Sequence, residues 1–249
     1  MTREEGVHLL KPFLENLKEV VAVWEGGSQA TNRIDDHSDL DLLIITTDDA
    51  VEKTLQETQE YLKKQVPLRH YIRAPEPTWH GFSQFFYIPE HASLFYFDLS
   101  FTKVSQPDKF TDVERHGTAH LWFEKRPIYH PTHWGDEKRN ALHKRVFQTA
   151  VLYETIFKIE TLKACQRNLI LDAKSMYFTY LMRALVPLIN LQYRPNKADF
   201  GIRYLHVDLP QTTYQELVDL FAANLPDEIS EKLHVATKWF EALKTKLNV

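Results

Sequence analysis

The residues best suited to chemistry lie in one stretch. Gly26-Gly27-Ser28-Gln29-Ala30 is followed by a spacer through Asn32-Arg33-Ile34-Asp35-Asp36-His37-Ser38 and then by Asp39-Leu40-Asp41-Leu42. A Gly-Ser turn can leave backbone N–H groups pointing at an anion. Aspartates two apart on a strand project from one face, and paired carboxylates are the hard oxygen donors a divalent cation takes. A turn suited to phosphate beside carboxylates suited to metal makes a phosphoryl-transfer site.

Such a site needs elements to hold it. Val20 to Trp24 and Leu40 to Ile45 are apolar runs rich in β-formers, so the spacing predicts strand, turn with a short helix, strand. Upstream, Val7, Leu10, Leu14 and Leu17 recur at near-helical spacing within an amphipathic helix from Arg3 to Lys18. Downstream, Thr46-Thr47-Asp48-Asp49 offers N-capping oxygens to a polar helix over Ala50 to Lys64. A short strand over Pro67 to Ile72 and a loop at Ala74-Pro75-Glu76-Pro77 come next. Two β-like segments follow, Gly81 to Ile88 and Ala92 to Lys103, then an edge element over Leu121 to Tyr129 interrupted by Pro127. In the second β-like segment Phe95, Phe97, Leu99 and Phe101 share one face and Tyr96, Asp98 and Ser100 the other. Ionised Asp98 in so aromatic a strand requires a partner.

From Gly135 onward the pattern is helical, with segments over Asp136 to Leu171, Asp172 to Leu191, Gln211 to Asn224 and Glu228 to Leu247. Met176, Tyr177 and Tyr180 read as packing residues. The expected class is α/β followed by α. A domain over residues 1–133, a small mixed sheet flanked by helices, precedes a helical bundle over 134–249, joined near Pro131 to Gly135.

Composition narrows the function classes. The 249 residues are 43% hydrophobic with a net charge of −4, which suits a packed globular protein and argues against a nucleic-acid binder with a broad basic face. Cys165 is the only cysteine, so no disulfide forms within the chain. Met1-Thr2-Arg3-Glu4-Glu5 opens a polar helix without a signal-peptide core, and no apolar run is long enough to span a bilayer. The expectation is a soluble cytoplasmic protein. His91, His116, His120, His130 and His133 lack a zinc-binding spacing, and His37 reads as a turn residue. Glu90-His91 fits either an acceptor pocket or a plain hairpin turn.

Gly27-Ser28, the spacer and Asp39-Leu40-Asp41 between apolar residues resemble the pattern of the polymerase-β-like nucleotidyltransferase superfamily. Gly27-Ser28-Gln29-Ala30 with His37-Ser38-Asp39-Leu40-Asp41-Leu42 is most similar to the bacterial antibiotic nucleotidyltransferases, in particular the streptomycin- and spectinomycin-type aminoglycoside adenylyltransferases. Arg183, Tyr193-Arg194-Pro195-Asn196-Lys197-Ala198-Asp199 and Asp208-Leu209-Pro210 resemble the layout of their C-terminal domain. The resemblance implies magnesium-dependent transfer of NMP, AMP from ATP by analogy, to a hydroxyl of a small-molecule acceptor, with release of pyrophosphate. It assigns Gly27, Ser28 and Ser38 to the triphosphate. Asp39 and Asp41, with Asp98 as third carboxylate, become the catalytic and metal residues, with room for two Mg²⁺ ions. Arg183 and Lys197 would reach the triphosphate across an interdomain cleft. The acidic positions that hold a cationic sugar in those enzymes fall here on Ala164, Leu169 and Ala173, with Glu160 and Asp172 nearby. That departure weakens the antibiotic acceptor and leaves the chemistry standing. The alternatives are a protein AMP-transferase of toxin–antitoxin type and a catalytically inactive nucleotide-binding module. No nucleic-acid or membrane partner is expected, and the oligomeric state is open.

Overall fold

Val20–Glu25 (β1) and Leu40–Thr46 (β2) are the most apolar strands, and they run through the interior of a sheet whose faces are both covered. The computed structural model describes residues 1–76, 78, 81–92 and 94–247. Pro77 of the expected loop and Ser93 of the expected second β-like segment lie outside them. The chain divides into two compact units, Met1–His133 and a second from Trp134 onward.

In the first unit the elements run in order: helix α1 (Arg3–Asn16), β1, a short helix α2 (Gly27–Ala30), β2 and helix α3 (Val51–Gln65). Strands β3 (Leu68–Arg73), β4 (Ser83–Pro89) and β5 (Phe97–Lys103), the short helix α4 (Val113–His116) and strand β6 (His120–Glu124) follow. Among the described residues the sheet has six strands in the order β3-β4-β5-β2-β1-β6. Only β2 and β5 pair in parallel, so the sheet is mixed. Helix α1 opens with a capping box in which Thr2 accepts from the Glu5 N–H and the Glu5 carboxylate accepts from the Thr2 N–H. Leu10 and Leu14 of α1 and Leu55 and Leu62 of α3 pack on Leu40, Leu42, Ile44, Phe97, Leu99 and Phe101 on one face. The opposite face is smaller, built from Ala22, Trp24, Leu43, Ile45 and Phe82. β3 is an edge strand, largely exposed and carrying Arg69, His70 and Arg73, a composition that blunts edge pairing.

Two local expectations change. α3 is capped by Ala50 without a side-chain bond, because the Asp48 carboxylate instead accepts from the Ser105 N–H at 3.0 Å. The strand expected from Ala92 begins only at Phe97. Its ladder partner β2 starts at Leu40, so the residues before Tyr96 have no neighbouring strand on that side.

The second unit is helical: α5 (Asp136–Gln166), α6 (Ile170–Tyr180), α7 (Val186–Tyr193), α8 (Leu205–Asp208), α9 (Gln211–Phe221) and α10 (Pro226–Lys246). The expected helix to Leu171 stops at Gln166 because Asn168 takes a left-handed φ of 54°, a conformation asparagine tolerates. The helix expected from Asp172 to Leu191 runs through, but Leu181–Leu185 is a π turn. Pro187 explains it: the ring offers no N–H and crowds the carbonyl four residues back, at Arg183. Tyr177 and Tyr180 are core residues, as expected, and Met176 is half-buried.

Candidate active site

β1 ends in Glu25, and the chain turns at once through Gly26 into α2. Gly26 N–H bonds the Asp41 carbonyl at 3.0 Å, which ties the turn to the first residues of β2. Gly27 is in the left-handed region, with φ of 51°. A Cβ on it would lie 2.7 Å from Asp41 Oδ2, so only glycine lets the turn pass this close to the carboxylate. Ser28 is half-buried in α2, and its carbonyl accepts from Arg33 N–H at 2.8 Å. The far end of α2 is closed by the loop after α4, where Thr118 N–H bonds the Ala30 carbonyl at 3.0 Å.

The register of β2 against β5 sets the carboxylates. Asp41 is the ladder partner of Asp98, and the two alternate with Leu40, Leu42, Phe97 and Leu99 of the helix-covered core. Both therefore face the smaller side of the sheet. Both are half-buried. The partner required of Asp98 is Gln84 on β4, whose Nε2 donates to Asp98 Oδ1 at 2.6 Å. β5 lies between β4 and β2, so Asp98 stands on an interior strand.

Asp39 differs. It precedes the ladder, which starts at Leu40, so strand alternation governs Asp41 and not Asp39. Ser38 closes a turn: its Oγ accepts from Asp35 N–H at 2.9 Å and donates to Asp35 Oδ1 at 3.1 Å. The His37 N–H and then the Ser38 hydroxyl hold the Asp35 carboxyl below its ordinary range. His37 is an exposed turn residue, as expected.

Among the described residues, no group of three or more His, Cys, Asp or Glu side chains is arranged to hold a metal ion. Asp39, Asp41 and Asp98 are thus not gathered into a ligand cluster, and the described histidines belong to no such group. The donor chemistry still fits a divalent cation. Asp41 and Asp98 are like charges side by side on neighbouring strands, half-buried, an arrangement that bound positive charge relieves. Glu90 and His91 lie in the turn after β4.

In the helical unit, Arg183 sits in the π turn and is exposed. Its guanidinium lies 5.3 Å from the centre of the Tyr153 ring and its Nη1 is 3.4 Å from the Tyr153 hydroxyl. Lys197 ends a 3₁₀ turn, Pro195–Lys197, that is held from two sides. From α5, Arg139 Nε donates to Asn196 Oδ1 at 3.1 Å and His143 Nε2 lies 3.2 Å from the Pro195 carbonyl. From the other side Arg194, 8% exposed, bonds Asn190 Oδ1 at 2.9 Å, Asp208 Oδ2 at 2.9 Å and the Gly201 and Arg203 carbonyls. Ala164 and Ala173 are buried, so two of the three apolar positions at the expected sugar site are core.

Sequence reasoning missed the parts that brace these residues: Gln84 on Asp98, Tyr153 under Arg183, and Arg3 with Glu25 behind the turn. The available signals were Glu25, a carboxylate closing an otherwise apolar strand, and Asp98, whose aromatic strand required a partner.

Residues 8–87 match the family model of the nucleotidyltransferase domain. The match lies within the first unit and contains Gly27, Ser28, Asp39 and Asp41. No curated protein matches the chain in sequence. Among solved structures, an aminoglycoside 6-adenyltransferase from Bacillus subtilis is 12% identical over 99% of this chain and 90% of its own, with a TM-score of 0.36. A spectinomycin adenyltransferase from Enterococcus faecialis, solved with ATP and spectinomycin, is 10% identical over 99% of each chain, also with a TM-score of 0.36. Among the described residues no helix is long and apolar enough to cross a membrane.

Proposed function

We propose that this protein transfers a nucleoside monophosphate, AMP from ATP, to a hydroxyl of a small-molecule acceptor. The observation that carries the reading is the pairing of Asp41 with Asp98 on adjacent parallel strands, with Gly27 packed against Asp41. In this reading backbone N–H groups of Gly27 and Ser28, with the Ser28 hydroxyl, hold the β- and γ-phosphates. Ser38 is assigned to the same triphosphate, to which the sequence resemblance also assigns Arg183 and Lys197. Asp39, Asp41 and Asp98 would hold Mg²⁺, which when bound offsets the charge of the phosphates. Asp98, steadied by Gln84, takes the proton of the acceptor hydroxyl. The acceptor oxygen bonds to the α-phosphorus, the bond from that phosphorus to the bridging oxygen breaks, and pyrophosphate leaves. An aminoglycoside-like antibiotic is the acceptor that the sequence resemblance names.

The test is pyrophosphate release from ATP and Mg²⁺ against aminoglycosides, lincosamides and unrelated hydroxyl metabolites, with Asp39→Asn and Asp41→Asn alongside. Acceptor-dependent release lost in both variants supports the reading. Wild-type turnover by either variant removes that residue from the chemistry.

A further inference from the structure

Arg3 opens α1, and its guanidinium lies behind the Gly-Ser turn. Nε donates to Glu25 Oε1 at 3.0 Å, Nη2 donates to the same oxygen, and Nη2 also donates to Gln29 Oε1 at 3.1 Å. Glu25 is 1% exposed, and the Trp122 indole N–H lies 3.4 Å from its other oxygen. Nη1 is 3.7 Å from the exposed Glu4 carboxylate. Glu25 is the last residue of β1 and Gln29 lies within α2. One planar group therefore grips the chain on both sides of Gly26-Gly27-Ser28, the segment whose backbone would meet phosphate. A buried ion pair is a poor source of net stability, since desolvating two charges offsets most of their attraction. A guanidinium fork is well suited to fixing geometry, because its donors are rigidly arranged. Arg3 also lies outside the residues the family model matches.

We propose that Arg3 is a positioning residue for the phosphate turn: by clamping Glu25 and Gln29 together it sets the conformation in which Gly27 and Ser28 receive the triphosphate. The proposal rests on the reading of those two residues as phosphate contacts. Gln29 is where the role separates from folding. Gln29→Leu cuts the tie to the turn and leaves the Arg3–Glu25 pair intact. Arg3→Lys keeps a positive charge against Glu25, but an ammonium cannot span both partners as the fork does.

The experiment measures MgATP and AMP affinity by calorimetry, with thermal melts, for the wild type, Gln29→Leu, Arg3→Lys, the double variant and Gly27→Ala. The Gln29→Leu melt is expected to match the wild type, while its MgATP Kd rises about three- to tenfold, the weight of one hydrogen bond. AMP, which lacks the β- and γ-phosphates, is expected to bind both single variants within about twofold of the wild type, and the double variant to lose no more MgATP affinity than either alone. Wild-type MgATP binding by Gln29→Leu, with Gly27→Ala weakened, overturns the clamp and leaves the phosphate turn standing. Equal weakening of MgATP and AMP also overturns it, since general damage moves both. Wild-type MgATP binding by Gly27→Ala overturns the phosphate reading and this proposal with it.

Discussion

Gly27→Ala separates the cost to the fold from the cost to the site. The φ of 51° is left-handed, and that conformation costs a residue bearing a Cβ about 1–2 kcal/mol. The new methyl would stand 2.7 Å from Asp41 Oδ2 and 3.2 Å from Asp41 Cβ, well inside contact distance. The nearest atom is the end of a side chain, so the carboxylate relieves the clash by turning away and adds little to the folding penalty. A loss of about 1–2 kcal/mol is small against the roughly 5–15 kcal/mol typical of a domain, so the unit stays folded. The proposed chemistry suffers more. Displacing a reacting group by about 1 Å can lower turnover on the order of 100-fold. Gly26→Ala is the control, because its Cβ would lie 3.6 Å from the same oxygen, an ordinary contact, on a backbone with φ of −99°. Urea denaturation reads the first effect and acceptor-dependent pyrophosphate release at saturating MgATP the second. If Gly27→Ala turns over as fast as Gly26→Ala with both folded, the close approach to Asp41 has no part in catalysis.

Gly117→Ala should destabilise the first unit by roughly 2 kcal/mol or more in a thermal melt, because a Cβ at its φ of 78° collides with the Ala30 carbonyl, which cannot rotate aside. Arg194→Met should cost the helical unit about 3–5 kcal/mol in chemical denaturation, since it breaks the ion pair with half-buried Asp208 and removes donors from the Gly201 and Arg203 carbonyls. Burial pushes the Tyr177 and Tyr180 phenols well above their ordinary range. The folded state therefore keeps protons that the unfolded chain gives up near pH 10. This stability is full below about pH 10 and falls as pH rises further. Denaturant midpoints measured from pH 8 upward should decline in alkali. Tyr177→Phe with Tyr180→Phe should flatten that decline, at a cost near neutrality of about 1 kcal/mol for the Tyr177 bond to the Leu220 carbonyl.

The parts legible in the sequence are those with a local cause. Continuous apolar runs marked β1 and β2 because strands covered on both faces need no polar alternation. The glycines at 26 and 27 marked the turn because it needs a left-handed residue and a close approach at one point. What stayed hidden depends on partners far along the chain. The strand expected from Ala92 is shortened to the seven residues Phe97–Lys103 because β2 begins at Leu40, after the Asp35–Ser38 turn has led the chain to it. The π turn at Leu181–Leu185 traces to Pro187, whose effect falls a full turn upstream of the proline itself. Arg3 reaches Glu25, Gln84 reaches Asp98 and Arg183 lies on Tyr153 only in the folded chain. No spacing in the sequence announces such pairs.

The register of β2 on β5 is where the two kinds of information meet. Phe97, Leu99 and Phe101 are fully buried under α1 and α3 beside Leu40, Leu42 and Ile44, and this packing selects the ladder. A slip of one residue along β5 would turn Asp98 into that apolar core and carry Phe97 and Leu99 out of it, so it is excluded. A slip of two would keep the faces but draw the carboxylates apart by about 7 Å, two residues of strand rise. A slip of β5 would also break the edge-on contact of Phe97 with Tyr87 of β4, at a ring separation of 6.2 Å. The aromatic residues of β5 thus do for Asp98 what Gly27 does for Asp41. Each sets its carboxylate's position by steric fit, so the placement of the two charges rests on packing that carries no charge.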